Sequence, residues 1–177
     1  MSEKVKKEIF EWIKVFALAI VFAFVITQFI KPTLVRGDSM YSTLEEGDYL
    51  IINRMSYKFG EPKRGDIIVF ESDLQQDDGT NKDLVKRVIG VSGDTIKIKD
   101  SKVYVNGKEL NEPYIHDEIT EGDIDTVVPE NSVFVLGDNR EISLDSRYEQ
   151  VGLVKEKDIM GKVMIRLFPF NKIGTVS

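Results

Sequence analysis

Ser39 sits in the stretch Gly37-Asp38-Ser39-Met40-Tyr41-Ser42-Thr43-Leu44, where turn formers pass directly into apolar residues. A serine hydroxyl becomes a useful nucleophile only when a neighbouring base takes its proton. The chain narrows the choice of base, because it contains no cysteine and one histidine, His116. Thiol nucleophiles, disulfides and thiolate or two-histidine metal sites are therefore excluded, and a Ser-His-Asp arrangement would depend on His116 alone. Lysine can serve instead if it is neutral. Free lysine titrates near about 10.4, so burial among apolar neighbours must bring it down. Lys86, in "DLVKRVIGV" between Leu84-Val85 and Val88-Ile89, has such neighbours. A strand lysine turned to solvent fits the same pattern, and the local spacing leaves both readings open.

These residues need a frame, and the rest of the chain supplies two kinds of element. The stretch Val15–Ile30, "VFALAIVFAFVITQFI", carries no charge. With Trp12, Ile13 and Lys14 it spans roughly 28 Å as a helix, close to a hydrocarbon core of about 30 Å. Trp12 and Lys14 at one end and Lys31-Pro32 at the other have the character of interfacial anchors and a stop. No small-x-small exit site follows the run, so it is expected to be an uncleaved anchor over 12–31. Lys4, Lys6, Lys7 and Lys14 precede or open the run, against Lys31 and Arg36 after it. This bias places residues 1–11 in the cytoplasm and residues 32–177 outside.

The outer part is expected to be mainly β. "DYLIINRM", "DIIVFES", "LVKRVIGV", "DTIKIKD", "KVYVNGKEL" and "SVFVLGD" are short, rich in Ile and Val, and bounded by turn signals. "TIKIKDSKVYVNG" alternates on both sides of Asp100-Ser101, which marks a hairpin with one buried face. Gly-Asp occurs six times, mostly at strand edges, as punctuation. The polar segments "ESDLQQDDGTNKDL" and "HDEITEGDIDT" are expected to be solvated loops. With 177 residues, 42% hydrophobic, 31% charged and a net charge of −6, the chain can bury one core, and its acidic balance argues against a nucleic-acid partner.

Four boxes, "GDSMYSTL", "RGDIIVF", "LVKRVIGVSGDTI" and "LGDNREISLDSR", occur in this order behind an N-terminal anchor. Together they resemble bacterial type I signal peptidases, most closely the single-span Gram-positive forms, over essentially the whole chain. The resemblance implies a barrel-like domain of antiparallel sheets behind one transmembrane helix. It also implies a serine endopeptidase that removes signal peptides after Ala-x-Ala sites through an acyl-enzyme. The family's nucleophile falls on Ser39, its general base on Lys86, and the serine that orients the lysine on Ser143. The backbone N–H of Ser39 is the implied oxyanion donor; Gly37 stands where some branches carry a second, hydroxyl donor. Val35, Met40, Leu44, Leu84 and Val85 are the implied lining of the substrate sites. Arg87, Asp138, Asn139, Asp145 and Arg147 are implied structural supports, and Gly137, Arg140 and Ser146 complete their box.

No cofactor or metal is implied. The implied partners are signal-peptide-bearing preproteins, membrane lipid and the secretion translocon. Two features depart from the pattern: Ser42 stands where the family usually has proline, and Gly152 comes later than usual after "DSR". They point to a specialised clientele, such as pilus or surface subunits, as one alternative. A non-catalytic, membrane-tethered β module is another.

Overall fold

A computed structural model describes residues 2–115 and 119–176; the alternative base, His116, lies outside the described residues. The chain begins with a helix, α1 (Glu3–Phe29), none of whose residues is buried. The Val5 N–H donates to Ser2 Oγ at 3.4 Å, and Glu3 occupies the first turn, both favourable at a helix N-terminus. At about 1.5 Å per residue α1 is about 40 Å long. That exceeds the hydrocarbon thickness, so its charged first turns reach beyond an apolar layer. The helix stops at Phe29, because Ile30 and Lys31, expected to end the span, already pair with Asn53 and Ile52 as strand residues.

Among the described residues twelve strands follow: β1 (Ile30–Leu34), β2 (Tyr49–Asn53), β3 (Ile67–Gln75), β4 (Asn81–Gly90), β5 (Thr95–Lys99), β6 (Lys102–Val105), β7 (Lys108–Glu109), β8 (Ile124–Val127), β9 (Ser132–Leu136), β10 (Val154–Lys155), β11 (Ile159–Phe168) and β12 (Gly174–Thr175). They form two sheets, with orders β1-β2-β11-β3-β4-β9-β10, where β12 pairs with β11, and β7-β6-β5-β8. Every pairing is antiparallel. A mainly β domain behind one apolar helix is what the sequence leads one to expect.

The apolar runs are continuous where both faces of a strand are covered. Ile67 and Val69 of β3 join one core cluster with Val35, Met40, Leu44, Leu50, Ile52 and Val163. Ile68 and Phe70, on the opposite face, join Val88, Val133, Val135 and Val154. This is period two with neither face solvated. In the smaller sheet Ile96, Ile98, Val103 and Val105 point inward with Ile124 packed against them, while Lys97 and Lys99 face water. Asp100 and Ser101, with φ of 51° and 64°, close the β5–β6 hairpin as a two-residue turn with both central residues left-handed.

The Gly-Asp pairs are more than punctuation. Asp48, Asp66 and Asp94 each accept a backbone N–H from three residues earlier, Glu45, Lys63 and Val91, at 3.1, 3.0 and 2.9 Å. All three are buried, and their charge is met by Arg166, Lys162 and Arg64 respectively.

Three expectations are corrected. The segment "ESDLQQDDGTNKDL" is mostly strand: β3 runs to Gln75 and β4 starts at Asn81, so a long hairpin replaces the loop. Residues 124–127 form β8, an edge of the smaller sheet beside β5. β11, which the pattern of strand signals passes over, lies in the middle of the larger sheet between β2 and β3.

Candidate active site

Ser39 is carried on the loop from β1 to β2. The backbone reverses at Gly37, whose φ of 79° is a conformation glycine adopts without strain. The Tyr41 N–H bonds Asp38 O across the turn at 3.0 Å, and the Leu44 N–H bonds Met40 O at 2.8 Å. Met40 and Leu44 are expected on the substrate wall, but they are fully buried in the core beneath it. The larger gain lies there, since burying such a side chain contributes about 2 kcal/mol, and two of them pin the loop that presents Ser39.

Lys86 projects from β4, and its Nζ lies 2.7 Å from Ser39 Oγ and 3.1 Å from the carbonyl oxygen of Val85. The residue is only 2% exposed. Burial pushes the amine down to about 8, helped by the charges of Lys82 and Arg147 and opposed by those of Asp145 and Asp138. The solvent-facing alternative for Lys86 is thereby excluded. A lysine so placed is neutral in appreciable fraction near neutral pH and within reach of a hydroxyl proton.

The two carboxylates near Lys86 are themselves tied down. Arg87 holds Asp138 through Nε and Nη2, at 2.9 and 2.7 Å, and stacks on Tyr114 with 3.9 Å to the ring centroid. Thr43 Oγ1 donates to the same carboxylate at 2.5 Å. Arg147 grips Asp145 at 2.9 and 3.0 Å, while Asp145 accepts the Gly137 N–H at 3.1 Å. Arg140 reaches Gly137 O at 3.0 Å and pairs with Glu112. The Asn139 N–H bonds Ser39 O at 3.1 Å, and Ser146 Oγ accepts the Val135 N–H at 3.0 Å. The charges of Asp138, Asp145 and Arg147 act on Lys86, and Asn139 is tied to the backbone of Ser39. The boxes do not mark Thr43, Glu112 and Tyr114 as supports, because the charged groups they meet, Asp138, Arg140 and Arg87, are remote in sequence.

Ser143 departs from expectation. Its Oγ is buried without a hydrogen-bond partner, so the implied bond to Lys86 is not formed here; the Lys86 amine is engaged by Ser39 and Val85 O. A Cβ built on Gly137 would overlap both Ser143 Oγ and Ser39 O, so glycine is needed there for the two serine segments to meet. Among the described residues, Thr33 Oγ1 is the one other buried side-chain polar atom without a partner.

Ser39 and Lys86 stand at a cleft of about 450 Å³. Val35, Leu84 and Val85 line it as expected, and Leu34, Ile142 and Leu144 add apolar walls that the boxes do not mark. One side is β1 and its continuation to Arg36, the other Asn81–Lys86 of β4. Among the described residues β1 pairs only with β2, and this half of β4 only with β3, since β9 joins β4 from Arg87 onward. Two strand edges with unused backbone groups therefore face each other across an apolar slot. Ser42 opens on a separate depression bordered by Thr43, Tyr114 and Arg166. Among the described residues no group of acidic or histidine side chains could hold a metal ion.

The chain is similar to known proteins over most of its length. The family model described as "Signal peptidase, peptidase S26" matches residues 9–168. Signal peptidase I of Bacillus licheniformis is 40% identical over 97% of this chain and 95% of its own length. Signal peptidase IB of Staphylococcus aureus is 39% identical over 94% of this chain and 93% of its own. A crystal structure of a signal peptidase I from Enterococcus faecalis V583 is 34% identical, covers 58% of this chain and 96% of that one, and superposes with a TM-score of 0.47.

Proposed function

The chain belongs to the signal peptidase family and is an enzyme that removes signal peptides from preproteins; from this premise we propose that Ser39 is its nucleophile and Lys86 its general base. The observation that carries the assignment is the 2.7 Å approach of a buried, pKa-lowered lysine to a serine hydroxyl at the end of an apolar slot. Neutral Lys86 takes the Ser39 proton as Oγ attacks the scissile carbonyl. The resulting ammonium gives its proton to the leaving amine, and an ester to Ser39 remains. A water that loses its proton to the same lysine then hydrolyses the ester. The Ser39 N–H is the donor to the developing oxyanion. Ser143 Oγ is the acceptor available to an amine hydrogen once Ser39 donates to, rather than accepts from, Nζ.

The substrate lies extended between β1 and β4, adding backbone hydrogen bonds to both edges. Val35, Leu84 and Val85 leave room for small side chains before the cut, which suits Ala-x-Ala. Anchoring in the membrane is supported by the exposed apolar helix α1. The reading extends to topology, with residues 1–11 in the cytoplasm, the catalytic domain outside, and lipid and the secretion translocon as neighbours.

The test is cleavage of an Ala-x-Ala signal-peptide substrate in lipid vesicles by wild type, Ser39→Ala and Lys86→Ala. Cleavage after the second Ala by wild type alone supports the dyad. Undiminished cleavage by Ser39→Ala would remove Ser39 as nucleophile.

A further inference from the structure

The segment between β2 and β3 has an unusual surface. Phe59 is 87% exposed, more than any aromatic residue of α1. Around it the eleven-residue stretch Arg54–Arg64, "RMSYKFGEPKR", carries Arg54, Lys58, Lys63 and Arg64 against one acid, Glu61, in a chain whose net charge is −6. Arg64 is paired with Asp94. Arg54, Lys58 and Lys63 are exposed, and none has an acidic partner among the described residues.

The segment is not loose, and its position is fixed. The Arg54 N–H donates to Phe29 O at 2.9 Å, and its guanidinium points at Thr27 O, 3.5 Å away. Both acceptors belong to the last turns of α1, so the loop leaves the sheet where the apolar helix ends. Its far side is held by Tyr57, whose hydroxyl donates to Asp66 at 2.8 Å, and by the Lys58 N–H on Met55 O at 3.1 Å. Tyr57 packs against the core and Met55 is half-buried, which leaves Phe59 and the lysines as the outward side. An aromatic tip ringed by cations suits the boundary between headgroups and acyl chains.

We propose that Arg54–Lys63 is a second membrane contact of this chain: Phe59 enters the interface, and Arg54, Lys58 and Lys63 lie on anionic headgroups. The occupant is a lipid surface rather than a protein because the loop is hydrogen-bonded to the end of the helix that crosses the bilayer, and because its charge opposes that of anionic lipid. With α1 alone the catalytic domain could swivel about Phe29–Ile30. A second contact fixes its tilt and the height of the cleft above the membrane. The inference rests on α1 being the anchor.

The chain's single tryptophan, Trp12, allows both points to be read in one experiment. Full-length wild type and a Trp12→Phe/Phe59→Trp variant are placed in vesicles of phosphatidylcholine, with or without phosphatidylglycerol, containing a lipid spin-labelled near the headgroup. The expected result is loss of tryptophan emission at both positions, the loss at position 59 being larger with phosphatidylglycerol and reversed by Lys58→Glu/Lys63→Glu. Quenching of Trp12 without quenching at position 59 overturns the inference and leaves the anchor intact. Absence of quenching at Trp12 overturns the anchor, and the inference with it. A blue-shifted but unquenched emission at position 59 would assign the loop to a second copy of the chain. Equal quenching in both lipids, unaffected by charge reversal, would remove the role of the basic residues. Cleavage of a short soluble peptide in detergent by each variant, unchanged from wild type, verifies that the cleft is intact.

Discussion

At the scale of single residues, the catalytic proposal turns on one amine. Lys86 is held at about 8 chiefly because burial disfavours its charge. The neutral form is the base, so kcat/KM for a peptide substrate should rise about tenfold per pH unit below pH 8 and level off above it. A flat profile between pH 6 and 8 would contradict this. The same burial has a cost in stability. The folded lysine releases its proton near 8 and the unfolded one near 10.5, so between these values the unfolded state binds more protons and stability rises with pH. Below pH 8 the full penalty applies, about 3 kcal/mol. Lys86→Met, similar in volume, should therefore abolish cleavage and yet raise stability by up to about 3 kcal/mol at pH 7. The gain should shrink toward zero at pH 10.5. Denaturant titrations of both proteins at the two pH values measure it.

At the scale of elements, two loops, Val35–Leu44 and Gly137–Arg147, must meet beside β4, and ion pairs set how their charges act on Lys86. Arg147 lowers the lysine directly and also balances Asp145, whose charge raises it. Arg147→Ala should therefore shift the rising limb of the pH profile to higher pH, so that activity is lost at pH 7 and partly regained above 9. Arg147→Lys, which keeps the charge, should shift it less. A mere loss of packing would lower the whole profile without moving it. This interplay also explains what the sequence makes legible. Each box is local, so Ser39, Lys86 and the 137–147 supports can be placed by their neighbours in the chain. Strands with clean alternation, such as β5 and β6, can be read as well. β11 is harder because two register shifts interrupt its pairing with β2 and Gly161 and Lys162 break its apolar run. Gly161 is there because a Cβ would overlap the Asn53 backbone, which only the folded sheet shows. Met40 and Leu44 resemble pocket residues in a box, but the turn that exposes Ser39 drives them into the core. The β3–β4 hairpin reads as loop because its far half, which borders the cleft, is polar on both faces.

At the scale of the whole molecule, the absence of any linker between anchor and domain is itself informative. β1 begins at the residue after α1, so, with α1 as the proposed anchor, one continuous run leads from the membrane to the wall of the cleft. The Arg54 bond to Phe29 O adds a second tie at the same point. On the proposed topology, a preprotein held by its own apolar segment in the same bilayer meets a cleft whose height is nearly fixed, and cleavage becomes an encounter in two dimensions at high effective concentration. Inserting a flexible Gly-Ser linker of about ten residues between Phe29 and Ile30 would let the domain wander over roughly 17 Å. The active site is untouched by such an insertion, so hydrolysis of a short soluble peptide in detergent should be unchanged. Cleavage of a membrane-inserted preprotein in vesicles should fall several-fold, mainly through KM, because the two sites must now find each other. Equal rates for the parent and linker proteins on the inserted preprotein would show that the anchor only localises the enzyme and that the fusion of α1 to β1 has no part in positioning its cleft.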